Sequence, residues 1–211
     1  MILETIVTGA LQENCYLAGC AQELFVIDPG ADAQRIESRI AQLGAQVKYI
    51  VLTHCHWDHM GAAAQLKKDT GAQLVLCRRE AASYADAEAN LMNSFGAEGE
   101  LPAPDLTVCE GDVLYSGEYG FRVMETPGHT EGSMCLLCGE ELFSGDTLFR
   151  GGMGRTDLPT GSMQKIIDSI INKLLLLDNT VRVHPGHGER TDIGYEKTKN
   201  EVFLWQSMQN F

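Results

Sequence analysis

The sequence predicts an α/β protein in which two β-sheets pack face to face and helices cover their outer surfaces. The first observation is that a group of strand-like segments followed by helices occurs twice along the chain. The second is that apolar residues make up 44% of the 211 residues, enough for a substantial core without disulfides. Because neither a fixed-period repeat nor a low-complexity segment interrupts the pattern, we expect a single domain over residues 1–211.

The N-terminal half supplies the first group of predicted elements. The first helix is the best defined, because Ile36, Ile40 and Leu43 form one apolar face, Asp32 can cap its start and Gly44 can end it. The predicted strands cover residues 2–8, 14–18, 23–28, 48–53 and 73–77. The predicted helices cover residues 33–43, 58–69 and 79–90.

The C-terminal half repeats the order of strands and then helix. Residues 91–106 contain two glycines and two prolines, which predict a surface loop, and residues 107–148 are rich in strand-like segments. A glycine-dense loop at 151–154 precedes a predicted helix over 162–176. A short strand over 181–183 completes the second group.

Charge and cysteine content limit the classes of function. The net charge of −13 opposes binding to nucleic acid and to membrane surfaces. The N-terminus has no basic, apolar leader, and no apolar run approaches the ~20 residues that span a bilayer. The seven cysteines show no disulfide spacing, so we expect reduced thiols and a cytoplasmic protein. Cys135 and Cys138 would face opposite sides of a strand and are interpreted as packing residues.

The six histidines occur in three groups, each at the end of a strand-like segment. Such strand ends commonly carry the chemistry of α/β proteins. The groups are His54, His56 and His59; His129; and His184 and His187.

The first group has the spacing of a metal site. His54 and His56 point the same way in extended backbone, and Asp58 and His59 can turn back toward them at the start of a helix. Imidazole and carboxylate together suit Zn²⁺, Fe or Mn²⁺. Four ligands within six residues cannot all reach one tetrahedral ion comfortably, so two adjacent metals are favoured, with Asp146 as the bridging carboxylate. The alternative is that these are solvated or capping residues, as Asp58 alone could be.

The complete motif resembles that of the metallo-β-lactamase superfamily. It consists of His54-x-His56-x-Asp58-His59, His129, Asp146 and His187. Within the superfamily the chain resembles the short bacterial type of glyoxalase II-like hydrolase, and the resemblance extends from Asp28 to about Tyr195. It implies a four-layer αββα sandwich without the C-terminal helical domain of full-length glyoxalase II.

The resemblance also implies the role of each ligand. His54, His56 and His129 hold the first ion. Asp58, His59 and His187 hold the second, and Asp146 bridges the two. Zinc is the expected metal, with iron or manganese as alternatives. His184 matches no ligand position, so a structural or supporting role is expected. Asp28 resembles the supporting acid of the family, although a turn-forming aspartate is the alternative.

The implied reaction is hydrolysis of a small-molecule thioester, such as a hydroxyacyl thiol, by a hydroxide shared between the ions and oriented by Asp58. A thiolate has a pKa near 8.5 and can leave without prior protonation. With five histidines assigned as ligands, none is an obvious general acid, which favours a thioester or activated ester over an amide or phosphodiester. Hydrolysis of another activated ester or of a lactone is an alternative.

The substrate-binding residues differ from those of full-length glyoxalase II. Arg155 matches a basic position of the family, but Asp157 and Glu189 occupy the positions of two tyrosines that hold glutathione. Both carboxylates would repel those of glutathione. We therefore predict that Arg155 binds a carboxylate of a different carrier; the alternative is a solvated ion pair with Asp157.

Two other classes stay open. A persulfide dioxygenase of the same fold would hold one iron with His54, His129 and Asp146. Against it, Ser133 occupies the position where those enzymes typically carry cysteine. The third class is a metal-binding scaffold without catalytic activity. Metal analysis combined with oxygen uptake separates the three.

Overall fold

The computed structural model describes residues 1–204 and contains two six-stranded sheets and a short hairpin. The strands are β1 (Ile2–Thr8), β2 (Glu13–Gly19), β3 (Glu23–Ile27), β4 (Gln46–Leu52), β5 (Gln73–Cys77), β6 (Leu106–Val108), β7 (Val113–Ser116), β8 (Tyr119–Glu125), β9 (Met134–Cys138), β10 (Glu141–Gly145), β11 (Leu148–Phe149), β12 (Gly152–Met153), β13 (Arg182–Pro185) and β14 (Thr191–Asp192). The helices are α1 (Ala33–Leu43), α2 (Trp57–Met60), α3 (Ala63–Thr70), α4 (Ala81–Tyr84), α5 (Met163–Asn172) and α6 (Ile193–Lys199).

The two sheets differ in strand order. The first runs β1-β2-β3-β4-β5-β6, antiparallel up to β3 and parallel from there on. The second runs β14-β13-β10-β9-β8-β7 and is antiparallel except for the β10–β13 pair. Because β10 and β13 are parallel, the segments that follow them leave the same edge of the sheet.

Three apolar clusters confirm the four-layer arrangement. Along β3, Phe25 and Ile27 enter the cluster between the sheets, whereas Val26 enters the outer cluster, as the two-residue period of a strand requires. Ile36 of α1 belongs to the outer cluster of the first sheet, and Ile166 of α5 belongs to that of the second. The order of layers is therefore helix, sheet, sheet, helix.

The prediction that Cys135 and Cys138 face opposite sides of a strand as packing residues is confirmed. Cys135 is buried in the outer cluster of the second sheet, whereas Cys138 is buried between the sheets. Cys55 is buried in the outer cluster of the first sheet, which also contains residues of α1 and α3. All seven cysteines are free thiols in the structure.

The predicted helix over 58–69 is wrong in its continuity, because α2 ends at Met60 and α3 begins at Ala63. The amide of Ala62 donates to the Pro29 carbonyl at 2.9 Å instead of continuing the helix. A Cβ on Gly61 would lie 2.5 Å from the Gly30 carbonyl oxygen. The contact of residues 61–62 with the turn at 29–30 therefore interrupts the helix just after Asp58 and His59.

The predicted helix over 79–90 is also wrong beyond its first turns. In the structure, the helical part of this segment consists of a 3₁₀ turn at Arg78–Glu80 and the short α4. Beyond α4, Asp86 accepts hydrogen bonds from the amides of Glu88 and Ala89, and Asn90 donates to the Tyr84 carbonyl at 2.9 Å. These side-chain bonds compete with the helical pattern.

Other boundaries differ by smaller amounts. The predicted helix over 162–176 is divided into α5 and a 3₁₀ turn at Leu174–Leu176, because Lys173 leaves the helical region with φ −129°. Asp32 occupies the N-cap position of α1, as predicted, but it adopts φ 57° and its side chain accepts from the Gly9 amide instead of from an amide of the helix. The glycine loop forms the β11–β12 hairpin, and α6 was not predicted.

Within residues 1–204, no helix has both the length and the apolarity needed to cross a bilayer.

Candidate metal centre

The predicted ligand-type residues meet where four loops converge. His54 follows β4, His129 lies between β8 and β9, Asp146 follows β10 and His187 follows β13. The loops come from both sheets, so the centre lies at the edge where the two sheets face each other. Folding is needed to bring together residues separated by up to 133 positions (His54 to His187).

The first set of ligand atoms comes from three buried histidines. His54, His56 and His129 each offer a ring nitrogen, and these nitrogens lie within 4.8 Å of one another. His129 Nε2 is 2.9 Å from His56 Nδ1. Three imidazole nitrogens at this separation form one face of a potential metal site.

The second set combines a carboxylate with two histidines. Asp58, His59 and His187 also place their ligand atoms within 4.8 Å of one another. His187 Nε2 is 3.3 Å from Asp58 Oδ2 and 3.2 Å from His59 Nε2.

Asp146 lies between the two sets. Its Oδ1 is 3.3 Å from His59 Nε2, and its Oδ2 is 3.6 Å from His129 Nε2. One carboxylate thus contacts a histidine of each set, as expected for a bridging residue.

Hydrogen bonds to Nδ1 orient three of the rings. The Nδ1 atoms of His54 and His59 lie 3.2 Å from Thr53 Oγ1 and Asp28 Oδ2, respectively. His129 Nδ1 lies 2.8 Å from the Arg155 carbonyl oxygen, to which it can donate. Such contacts fix the tautomer and leave Nε2 available as a ligand.

Asp28 has the geometry of a supporting acid. It adopts φ 51°, a left-handed conformation that is uncommon for residues other than glycine. Its Oδ1 accepts from the Thr53 amide at 2.7 Å while its Oδ2 contacts His59. Although Asp28, His54 and His59 also form a compact group, the Asp28 oxygens are occupied by these contacts.

Unpartnered buried atoms indicate that the centre fits a cation. His54 Nε2 is buried and has no hydrogen-bond partner, and buried Asp146 Oδ1 has none besides the ion-pair contact of 3.3 Å with His59 Nε2. Buried polar atoms are rarely left unsatisfied in proteins, because each one costs free energy. The donor set of imidazole nitrogens and carboxylate oxygens suits a divalent ion.

The electrostatics of the centre favour neutral imidazole in the first set and protonated imidazole next to ionised carboxylate in the second. Burial and neighbouring histidines hold the pKa of His54 well below its usual range, and burial lowers that of His56 to about 3. Although burial opposes it, the carboxylates of Asp146 and Asp28 raise the pKa of His59. The same pairing lowers the pKa of Asp146. Despite burial, Asp58 and Asp146 raise the pKa of His187 as well, so the lowered pKa values that favour the neutral, metal-binding form are those of His54, His56 and His129.

Two buried glutamates at the centre were missed by the sequence analysis. Glu13 Oε1 lies 4.0 Å from His59 Nδ1, and burial raises the pKa of Glu13 well above its usual range. Glu80 accepts from the amides of Cys55 and Gly132 at 3.0 and 2.9 Å. A lone glutamate in a predicted strand or helix gives no sequence signal of this role.

Close packing around the centre requires glycine at position 186. A Cβ there would lie 2.3 Å from Asp146 Oδ1 and 2.6 Å from His59 Cε1. The Gly186 carbonyl also accepts from the Asn14 amide at 2.7 Å, which ties the last loop to β2. The Pro-Gly sequence before His187 thus permits the approach of that loop.

His184 is not brought into the centre. Its Nε2 is 2.6 Å from Glu141 Oε2, and its ring stacks on Phe143 with 5.2 Å between the ring centroids. The expected structural role therefore agrees with its contacts.

An open cavity of about 630 Å³ borders the centre. Arg155 lines it, and its guanidinium forms two 2.7 Å hydrogen bonds to the Asp157 carboxylate. This ion pair is the alternative considered for Arg155 in the sequence analysis. Glu189 is 85% exposed and lies 3.7 Å from Arg150.

Comparison with known proteins agrees with the fold and the motif. The profile of the metallo-β-lactamase superfamily matches residues 8–187, and the chain belongs to this superfamily. Its class is therefore that of the metallo-hydrolases, whose centres take divalent metal ions.

Individual relatives cover nearly the whole chain. The hydroxyacylglutathione hydrolase GloC of Haemophilus influenzae is 36% identical over 205 residues, which are 95% of this chain and 97% of that protein. The crystal structure of the BLEG-1 B3 metallo-β-lactamase has a TM-score of 0.88 and 32% identity, covering 94% of this chain and 98% of that one. The crystal structure of TTHA1623 in a di-iron-bound form has a TM-score of 0.85 and 34% identity, with 93% and 98% coverage.

Proposed function

We propose that the protein is a two-metal hydrolase of small-molecule thioesters. The observation that carries this proposal is the meeting of two three-residue ligand sets across Asp146, beside an open cavity. The similarity to a hydroxyacylglutathione hydrolase supports the thioester as substrate class.

The proposed ligands are the residues of the two sets. The first ion would be held by His54, His56 and His129, the second by Asp58, His59 and His187, and both by Asp146. Zinc suits this mixture of imidazole and carboxylate, and iron or manganese would fit the same donors. The di-iron-bound similar structure keeps iron as an alternative.

Asp58 has a proposed catalytic role besides metal binding. Divalent ions in such a centre supply Lewis-acid catalysis and lower the pKa of water toward ~7. Burial would raise the pKa of Asp58, but the hydrogen bond from His187 and the charge of His59 outweigh it and keep the carboxylate ionised. Its side chain borders the cavity, so it can accept a hydrogen bond from the attacking water and orient it.

The shortage of a general acid supports a thiolate leaving group. Five of the six histidines lie in the proposed ligand sets, and His184 is bonded to Glu141. A thiolate, with a pKa near 8.5, departs without a proton donor, whereas an amine does not. Hydrolysis of a thioester is therefore the reaction that least requires a proton donor among these residues.

The experiment assays zinc-loaded and iron-loaded protein with a neutral acetyl thioester, with a hydroxyacylglutathione and with glutathione persulfide. Released thiol is measured while an electrode follows dissolved oxygen. We expect thiol release without oxygen consumption. Oxygen uptake with a persulfide substrate, or absence of thiol release from every thioester, would contradict the proposed function.

A further inference from the structure

The cavity beside the metal centre has an apolar wall that the proposed chemistry does not use. We propose that this wall binds the acyl group of the substrate and that this group is an apolar chain. The inference rests on the proposed thioester hydrolysis and specifies its substrate class.

Six apolar side chains share the cavity with the proposed metal ligands: Leu11, Leu91, Phe95, Phe149, Met153 and Leu158. They come from three separate segments, so the wall is a product of the fold and not of one apolar stretch. Pockets that bind organic molecules typically combine such a wall with a few polar groups. Here the polar groups are those of the metal centre together with Ser94 and Arg155.

Two of these side chains are unusually exposed for their size. Leu11 is 54% exposed and Phe95 is 45% exposed. Exposed leucine or phenylalanine is ordinary when scattered, but these two line one cavity together and border Asp58 there. An apolar ligand would cover surface that is otherwise left in water.

The Phe95 side of the wall is held in place before any ligand binds. Leu91 adopts φ 66°, a strained conformation for a branched side chain, and its carbonyl accepts from the Phe95 amide at 3.1 Å. Buried Asn90 anchors the segment through its bond to the Tyr84 carbonyl. A preorganised wall loses little entropy when it binds a chain.

A second cavity indicates the direction of the acyl chain. It measures about 130 Å³ and shares Leu11, Asp58 and Phe95 with the larger cavity. Its lining also includes Ala10, Ala31 and Trp57, so the part of an acyl chain that enters it would contact mainly apolar side chains. The charged Arg155–Asp157 pair lies on the segment 149–158, so we assign the carrier to that side of the cavity and the end of the acyl chain to the side of Leu11 and Phe95.

The test uses thioesters with one neutral carrier, N-acetylcysteamine, and acetyl, butanoyl, hexanoyl or octanoyl groups. Burying one methylene favours binding by about fourfold, so kcat/KM should rise by about two- to fourfold per methylene in this open cavity until the wall is filled. Phe95→Ala and Leu11→Ala should flatten this rise, so that the ratio of kcat/KM for the octanoyl thioester to that for the acetyl thioester falls by about tenfold or more. Phe95→Leu should restore most of it.

Matched controls are Tyr115→Ala and Leu176→Ala, which remove side chains that are 56% and 75% exposed but line neither cavity. They should keep the full dependence on chain length. A flat chain-length series with active protein, or equal losses for all chain lengths in Phe95→Ala, would overturn the inference. Absence of hydrolysis even for the acetyl thioester would overturn the proposed function instead.

A binding measurement keeps the inference testable without turnover. Thioether analogues of the same chain lengths cannot be hydrolysed, and their affinity can be followed by calorimetry with the metal-loaded protein. Affinity should increase with chain length in the unmodified protein and not in Phe95→Ala. Affinity independent of chain length would contradict the inference.

Discussion

At the scale of single residues, the centre depends on side chains whose charge is fixed by their neighbours. Asp58 is kept ionised by His187 and His59, and Asp146 by His59 and His129. Each carboxylate is therefore ionised at neutral pH and offers its negative charge to a cation. The consequence is that an isosteric neutral side chain should preserve the packing but not the chemistry.

We predict that Asp58→Asn lowers kcat by about 10²-fold or more and changes KM less. The amide carries no charge and orients water less well, and removing one transition-state electrostatic group has an effect of this size. Steady-state kinetics at measured metal content check this, with exposed Asp168→Asn on α5 as the control. Near-normal kcat in a fully metal-loaded Asp58→Asn protein would show that the assigned role is wrong.

Arg155 remains a predicted contact for a carboxylate on the carrier. Arg155→Ala should raise KM for a carboxylated thioester by about tenfold and leave a neutral thioester nearly unaffected. Because Asp157 holds the guanidinium, and has its own pKa lowered to about 2 by that bond, Asp157→Ala should lower KM for the carboxylated substrate. Equal responses of both substrates, or none, would identify Arg155 as a surface charge.

The sequence predicted the ligand-type residues but not all the residues that orient them. The ligand-type residues from His54 to His59 are recognisable because they lie within six consecutive positions, so their spacing can be read directly from the sequence. Glu13 and Glu80 are single acidic residues whose role arises only when distant segments meet. The contact between Arg155 O and His129 uses a backbone atom, which carries no residue-type signal.

At the scale of elements, Glu80 joins the two loops that carry the first histidine set. Its carboxylate accepts from the Cys55 amide, between His54 and His56, and from Thr130 Oγ1 and the Gly132 amide beside His129. The side chain is 1% exposed, so water cannot replace these bonds without rearrangement. Glu80 is therefore a positioning residue for both loops.

We predict that Glu80→Ala lowers the free energy of unfolding by about 2–4 kcal/mol, because three buried donors lose their acceptor. Metal affinity should fall by about 10–100-fold, the usual effect of removing an outer support. Denaturant unfolding and competition with a chelator measure the two effects. Glu80→Gln should recover part of both, and exposed Glu98→Ala should change neither. Unchanged metal affinity in Glu80→Ala would rule out the positioning role.

Elements with strong local patterns were predicted well, and those shaped by tertiary contacts were not. The α1 helix matches its predicted bounds because its apolar period and Gly44 are local signals. The break between α2 and α3 depends on the Pro29 carbonyl, more than 30 residues away in sequence. Asn90 likewise ends the 79–90 segment by bonding Tyr84. Propensity cannot anticipate such competing bonds.

At the scale of the whole molecule, the centre joins the two halves of the sandwich. The first sheet supplies His54 through the end of β4, and the second supplies Asp146 and His187 through β10 and β13. A bound ion would therefore crosslink the two sheets in the folded state only, and such binding stabilises the fold.

We predict that removing metal lowers the melting temperature. At a free metal concentration of 100 times Kd, one ion stabilises the folded state by about 2.7 kcal/mol. Calorimetry with and without chelator checks this. Asp146→Asn, which weakens the proposed bridge, should show a smaller shift than the unmodified protein. Identical melting temperatures with and without chelator would contradict a metal shared by the two sheets.

We propose that hydrolysis requires two adjacent metal ions in this centre. The most direct test is a titration of metal-free protein with zinc, in which thiol release from an acetyl thioester is measured after each addition. We predict that the rate increases until two zinc ions are bound per chain and then stays constant. Full activity at one ion per chain, or absence of thiol release with two ions bound, would contradict the account.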